Sequence, residues 1–410
     1  MHTIAKMKNP VQHYAWGSFD FIPDLLGNAT PADEPWAELW MGAHPKAPSQ
    51  VEYDGRWVSL PELIEKFPEQ ILGKTALKRF GRQLPFLFKV LAADQPLSIQ
   101  AHPNRDQAVA GFLRENQAGI PLDAPQRNYR DDNHKPECLC ALTEFWALNG
   151  FRPITDMLAA LARACSPELR PELDAFSQQA DVGGLRRFFH GLMTLPDARR
   201  QRIVGQAVQR AAESAADDPA ARWMVELQRW YPGDIGVLGP LLLNLVQLNP
   251  GEALFLEAGE LHAYLRGCGI ELMANSDNVL RGGLTVKHVD VRELLQVARF
   301  EPKTPRIIRR ETQSFCEAFY PQPAREFMLA VISLAGGRPC ECRGGSVAIL
   351  LCMQGRAAIR AGGDRREIIL KRGDAVLVPA AVQRYRLEGE AKLYKAGLPA
   401  QTERGTPGHK

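Results

Sequence analysis

Only nine histidines occur in 410 residues, so an imidazole metal site must draw on a short set. In Pro96–His102 (PLSIQAH), strand alternation places Ser98, Gln100 and His102 on one face and Leu97, Ile99 and Ala101 on the other. That polar face is either an interior wall or a solvent face. The segment NHKPE supplies His134, Lys135 and Glu137 just before an apolar run, Cys138–Leu142, and His262 stands in GELHAY. Gln100, His102, Glu137 and His262 form an O/N/O/N donor group without thiolate. Neutral imidazoles and a carboxylate suit zinc, and also iron or manganese. The amide oxygen is the unusual member. Four converging donors would leave a position for water or substrate, as Lewis-acid chemistry requires. Cys138 and Cys140 would bind zinc more strongly, but alternation puts both on the face opposite Glu137, which assigns them to core packing.

A second group of residues could hold a charged substrate. Lys89 lies inside FLFKVL (Phe86–Leu91), where an unpaired ammonium is costly. It must face an anion or a cavity mouth, unless its stem snorkels to the surface. The stretch Gly269–Lys287 (GIELMANSDNVLRGGLTVK) holds Glu271, Asp277 and Arg281. A guanidinium can clamp a phosphate or an enolate through two hydrogen bonds, and Gly282 and Gly283 permit close backbone approach. A solvated turn would have a similar composition.

These residues need elements to position them. Residues 153–230 are rich in Ala, Leu, Arg and Gln at helical spacing. Ile154, Leu158, Leu161 and Cys165 form one stripe; Ile203, Ala207, Val208 and Ala211 form another. Asp181–Gly184 and Pro196–Asp197 read as connections. Both flanks read as β, with short apolar runs at Leu84–Ala92, Ala253–Leu256 and Val347–Cys352 between turn residues. Two segments repeat: GEALFLEAGELHAY (251–264) and GDAVLVPAAVQRY (373–385), with His262 in one copy and Arg384 in the other. Both resemble the second signature motif of the cupin superfamily. An always-cationic Arg cannot ligate a metal, so only the first copy is competent. The fold expected is mainly β with an α-helical insert: two cupin-type jelly-roll barrels plus a small helical domain. The boundaries expected are 1–152 with 232–305 for a discontinuous catalytic unit, 153–231 for the helices, and 306–410 for a metal-free second barrel.

Composition narrows the class further. Lys plus Arg number 50 against 47 Asp plus Glu, a net charge of +3, which argues against a dedicated nucleic-acid binder. The eight cysteines include no C-x-x-C and read as reduced thiols. Met1–Gly17 lacks a signal-peptide core, and Val237–Leu248 is too short to span a bilayer. A soluble cytoplasmic protein is expected, with no membrane partner.

Taken together, VQHYAWGS, ELWMGAHPKAPS, LPFLFKVLAADQPLSIQAHPN, NHKPE, ALNGFRP, FLEAGELHAYL and ELMANSDNVLRGGLTVKHVDV resemble type I phosphomannose isomerases. The resemblance covers most of 11–153 and 251–291 in order. It implies one zinc per chain on Gln100, His102, Glu137 and His262, and a pocket containing Trp16, Lys89, Ser98, His134, Lys135, Tyr264, Glu271, Asp277, Arg281 and Lys287. It also implies interconversion of mannose 6-phosphate and fructose 6-phosphate through a cis-enediol, within mannose metabolism. On that basis Arg281 would stabilise the enediolate. His134 or Asp277 would move protons in ring opening, and Lys89 with Ser98 would hold the phosphate. The C1/C2 base stays open among Glu271, Asp277, His134 and a water. A monomer is expected, with an oligomer left open. Rival readings are another metal-dependent cupin, such as a dioxygenase, or a non-enzymatic sugar-binding cupin. Three positions depart from the family: His13 for Asn, Glu257 for Pro, and Val286 for the Pro before Lys287.

Overall fold

A 13-residue strand, His262–Ala274, organises the first of two 11-stranded antiparallel sheets in the structure, a computed structural model that describes residues 1–164 and 167–399. Its C-terminal half pairs with Phe86–Ala93 and Glu137–Ala141. Its N-terminal half pairs with Ile99–Ala101 and Phe145–Phe151. Changing partners requires a bend. It falls at Gly267, with φ 128°, where a Cβ would lie 2.5 Å from the Glu144 carbonyl oxygen. Glycine is therefore required at the turn between the half that carries His262 and the half that carries Glu271.

All eight residues of Phe86–Ala93 are buried, because both faces of this strand are covered. Phe86, Phe88, Val90 and Ala92 pack with Cys138 and Cys140 towards the second sheet; Leu91 and Ala93 pack with Leu139, Ala141 and Tyr264 on the other face. The alternation read from the sequence thus places both cysteines in core. Cys140 Sγ lies 3.1 Å from the Tyr320 hydroxyl.

The sequence repeat is also a structural one. Gly251 and Gly373 have φ 90° and 88° and each precedes a short strand, Ala253–Leu256 or Ala375–Val378. The long strands that follow begin at His262 and Arg384, and bend at Gly267 and Gly389, with φ 128° and 126°. Hydrogen bonding crosses the expected boundary at 306 in both directions. Ala5–Lys8 joins the second sheet beside Ala375–Val378, and Ile307–Ile308 joins the first beside Ala253–Leu256. Each visiting strand covers an edge the other sheet would leave open.

The helical insert comprises Ile154–Ala164, Arg170–Gln178, Val182–Met193, Asp197–Ser214 and Pro219–Trp230. Leu161, Ile203, Ala207 and Ala211 are buried as the stripes predict, whereas Cys165 lies outside the described residues. Asp181 accepts from the Gly184 amide at 2.7 Å, so a helix, not a connection, starts at Val182. The flanks read as β also contain helices, among them Leu60–Lys66, Lys74–Phe80 and Arg105–Gln117. The reduced state expected for every cysteine fails at one pair. Cys316 and Cys340 form a disulfide, with Cα atoms 6.0 Å apart; the sheet creates this proximity, and their separation of 24 residues does not reveal it. Cys138, Cys140, Cys268, Cys342 and Cys352 are free. No helix among the described residues is long and apolar enough to cross a membrane.

Arg105–Gln117 presses on the segment that leads to Glu137. A Cβ on Gly111 would lie 2.4 Å from the ring of Tyr129, which is 1% exposed. Gly111→Ala is expected to cost about 1–3 kcal/mol through overpacking, read as a lower urea midpoint. An unchanged midpoint would mean that the ring can yield.

Candidate active site

Strand pairing assembles the proposed ligands. His262 is the register partner of Gln100, and Gln100 in turn is the partner of Arg281. Directly opposed residues on antiparallel strands share a face with Cβ atoms about 4.5–5.5 Å apart. One face therefore carries His262, Gln100 and Arg281 in sequence across three strands. The ligating atoms of His102, Glu137 and His262 lie within 4.8 Å of one another, and the three residues are 1%, 2% and 1% exposed.

Each imidazole Nε2 stands 3.5 Å from a different Glu137 oxygen. Neither Nε2, nor Glu137 Oε2, has a hydrogen-bond partner. Buried polar atoms without partners are costly, and three aimed at one point are what a cation would satisfy. The outer nitrogens are engaged: His102 Nδ1 donates to the Asn278 carbonyl at 2.7 Å and His262 Nδ1 to the Glu260 carbonyl at 2.9 Å. A carbonyl only accepts, so each Nδ1 carries the proton and each Nε2 turns its lone pair inward. Burial, reinforced by Lys135, pushes His102 down to about 4, so its ring is neutral at physiological pH. Two imidazoles, a carboxylate and the neighbouring Gln100 amide fit zinc.

Beside this group opens a cavity of about 380 Å³. Of the residues predicted for substrate or catalysis, Trp16, Lys89, Ser98, Lys135, Tyr264, Glu271, Asp277, Arg281 and Lys287 all line it, together with Gln100 and Glu137. His134 does not. Its Nε2 lies 2.9 Å from Glu326 Oε1 of the second sheet. Lys89 is 6% exposed and paired with Glu38 Oε1 at 3.2 Å and Glu271 Oε2 at 2.9 Å. Burial alone would lower this ammonium; Glu271 and Glu38 outweigh it and raise the pKa above the ordinary lysine value. The snorkelling alternative is therefore excluded, and two carboxylates already neutralise the cation expected to hold phosphate. Tyr264 donates to Glu271 Oε1 at 2.9 Å. Burial raises the Glu271 carboxyl despite Lys89, with Glu137 and Glu38 adding to the effect.

Asp277 behaves differently. Burial would raise it, but the Lys46 bond at 2.7 Å and His44 Nε2 at 3.6 Å hold its carboxyl below the usual range. Arg130, Arg281 and Lys287 gather without a carboxylate partner among the described residues, and burial and mutual repulsion lower Arg281 and Lys287. Val286 is fully exposed, yet Lys287 still reaches the cavity; Glu257 pairs outward with Arg299. Neither departure from the family pattern disturbs the ligands.

Glu38, His44, Lys46 and Arg130 were missed by sequence reasoning. Glu38 had a signal: Lys89 required a buried anion, and Glu38 sits in the short apolar strand Glu38–Gly42 beside it. Arg130 had none, since it lies in the long connection, residues 118–136, between helix Arg105–Gln117 and strand Glu137–Ala141. Asn278 orders that loop. It is 0% exposed, accepts from the Arg130 amide at 2.6 Å and donates to Asp131 and Asn133 carbonyls at 2.8 and 2.9 Å. The same residue receives the His102 ring on its own carbonyl.

A β-fold with an imidazole–carboxylate centre, opening on a cavity that gathers unpaired cations, defines a metalloprotein that receives a small anion. Residues 4–154 match the family model for phosphomannose isomerase type I, catalytic domain. The mannose-6-phosphate isomerase of Salmonella typhimurium is 41% identical over 390 residues, covering 95% of this chain and 98% of the relative. That of Homo sapiens is 34% identical over 406 residues, covering 90% and 92%. A solved zinc-bound mannose 6-phosphate isomerase superposes with a TM-score of 0.87 at 39% identity, covering 97% of this chain and 100% of that one. A substituted phosphomannose isomerase from Salmonella typhimurium gives 0.89 at 39% identity over the same shares. The chain belongs to the type I phosphomannose isomerase family.

His262→Ala is expected to leave the purified protein with a small fraction of the wild-type zinc content by metal analysis; full content would reject the ligand assignment. Asn278→Ala leaves several buried backbone groups unpaired, and should cost roughly 2–4 kcal/mol in urea unfolding. An effect under about 0.5 kcal/mol would show that water replaces the amide.

Proposed function

We propose that the protein is a zinc-dependent aldose–ketose isomerase that interconverts D-mannose 6-phosphate and D-fructose 6-phosphate. The observation that carries this reading is the orphaned His102–Glu137–His262 group beside a cavity with unpaired Arg130, Arg281 and Lys287. Gln100, His102, Glu137 and His262 would hold zinc, which when bound would supply a Lewis acid to polarise the substrate oxygens.

The remaining chemistry falls to the chain's own side chains. Lys287 and Arg130 hold the phosphate, and Arg281, next to Gln100, stabilises the enediolate. Lys89 serves instead as counter-ion to Glu38 and Glu271. Glu271 is the base: burial raises its carboxyl above the usual carboxylate range, and Lys89 and Tyr264 orient it. It takes the proton from C2 of open-chain mannose 6-phosphate. The C–H electron pair becomes the C1=C2 bond, and O1 gains a proton. Return of a proton to C1, with loss of the O2 proton, yields the ketose. Asp277, held anionic by Lys46, accepts hydrogen bonds from sugar hydroxyls, and Lys135 and Ser98 line the approach. His134 faces Glu326, which removes it from the list of proton carriers.

We also read residues 1–152 with 232–305 as the catalytic unit, 153–231 as the helical domain and 306–410 as the metal-free unit, in two jelly-roll barrels with exchanged edge strands. All residues of the site come from one chain, so a monomer suffices. The five free thiols favour the cytoplasm, although the Cys316–Cys340 bridge is unusual there.

Purified protein should interconvert the two sugar phosphates in a coupled assay, lose this with chelator, and recover it with zinc; full activity without metal would sink the mechanism. Arg281→Ala should lower kcat by about 10²-fold with zinc retained. Lys287→Ala should raise KM by roughly 10-fold or more; an unchanged KM would place the phosphate elsewhere.

A further inference from the structure

The second sheet supplies none of the metal donors, yet one of its side chains reaches the segment that carries them. Glu326, just before strand Met328–Leu334, is 8% exposed and meets His134 Nε2 at 2.9 Å. His134 opens the run His134–Glu137, in which Lys135 borders the cavity and bonds Glu137 Oε1 at 3.0 Å. We infer that Glu326 is a positioning residue: by fixing His134 from the opposite sheet, it sets Lys135 and Glu137 against the metal centre.

Upstream, the run is tied to its own sheet. Asn133 donates to the Asn275 carbonyl at 2.8 Å, and Asp131 accepts from the Ser276 hydroxyl at 2.8 Å and the Asp277 amide at 2.7 Å. Downstream, the Pro136 carbonyl accepts from the Ala274 amide at 3.1 Å. The His134 ring is the one side-chain hydrogen bond between these anchors and the second sheet among the described residues. Glu326 is itself held, since its Oε2 accepts from the Arg325 amide at 3.1 Å and the Arg325 carbonyl accepts from Arg79 at 3.2 Å. Burial opposes its charge, but His134 holds its carboxyl below the ordinary range, so it remains an acceptor. A carboxylate this buried has one side-chain partner, and removing either member strands the other. Partners bonded directly to metal ligands typically change metal affinity by about 10- to 100-fold. Glu326 acts one step further out, through His134 and the short run to Glu137, which points to the lower end of that range.

The kinetic part of this inference rests on the isomerase reading; the metal part does not. The test compares Glu326→Ala, Glu326→Gln and His134→Ala with wild type. Zinc affinity is measured by competition with a chelator, kcat and KM for mannose 6-phosphate at saturating zinc, and Tm. Glu326→Ala should weaken zinc by about 10-fold or more and lower kcat with KM within about 2-fold. Glu326→Gln, which keeps an acceptor oxygen for the imidazole N–H, should recover most of both. The Glu326→Ala/His134→Ala double variant, measured alongside them, should be no worse than Glu326→Ala alone. A lower Tm with wild-type zinc affinity and kcat would overturn the inference, as would equal losses in Gln and Ala or additive losses in the double variant. Should wild type lack isomerase activity, the zinc affinities and their cycle would still decide it.

Discussion

Three buried donor atoms without hydrogen bonds set the terms for this structure: Nε2 of His102, Nε2 of His262 and Oε2 of Glu137. Each carries a desolvation cost of about 1–3 kcal/mol when unpaired, so the arrangement persists only if the surroundings impose it. They do so from outside. The Asn278 and Glu260 carbonyls fix both rings, and Asn278 also organises the loop that leads to Glu137. The bend at Gly267 then divides one strand, so that one half carries His262 to the metal group and the other carries Glu271 to the cavity beside it. Geometry of this kind suits a cation held among the three atoms.

The charged groups around that centre are divided by how they are paired. Lys89 lies between two buried carboxylates, whereas Arg130, Arg281 and Lys287 have none among the described residues. A cation already neutralised within the protein has little left for a phosphate, while unpaired cations that repel one another gain from an anion. The two sheets show a comparable division. Their long strands share the same glycine bend, but one begins with His262 and the other with Arg384. Free of ligand duty, the second sheet covers an edge-forming strand, packs Tyr320 against Cys140, and presents Glu326 to His134.

Much of the site could be read from residue types, because metal chemistry restricts the donors and strand alternation restricts their faces. Gln100, His102, Glu137 and His262 could be picked out by type, and the structure brings the last three together. Spacing left the Ser98–Gln100–His102 face open between interior wall and solvent, and the family resemblance decided it; Cys138 and Cys140 were excluded by alternation. Lys89 was half legible: the need for a buried anion was clear, but Glu38 lies 51 residues away and only strand pairing joins them. The expectation that Lys89 holds the phosphate was formed without sight of these two carboxylates. His134 was misplaced because its partner, Glu326, is 192 residues distant in the other sheet. Helix Arg105–Gln117 was overlooked although its Asn104/Gln107 capping box is visible in the sequence. The Cys316–Cys340 pairing and the exchange of edge strands left no local signal, since both depend on how the two sheets lie together.

The central claim is that zinc completes the unpaired imidazole–carboxylate group and uses no thiolate. X-ray absorption at the zinc edge of the loaded protein tests this most directly. The account predicts two imidazoles and further oxygen donors, all at about 2.0–2.2 Å, with no sulfur shell. A sulfur shell near about 2.3 Å, or a centre without two imidazoles, would contradict it.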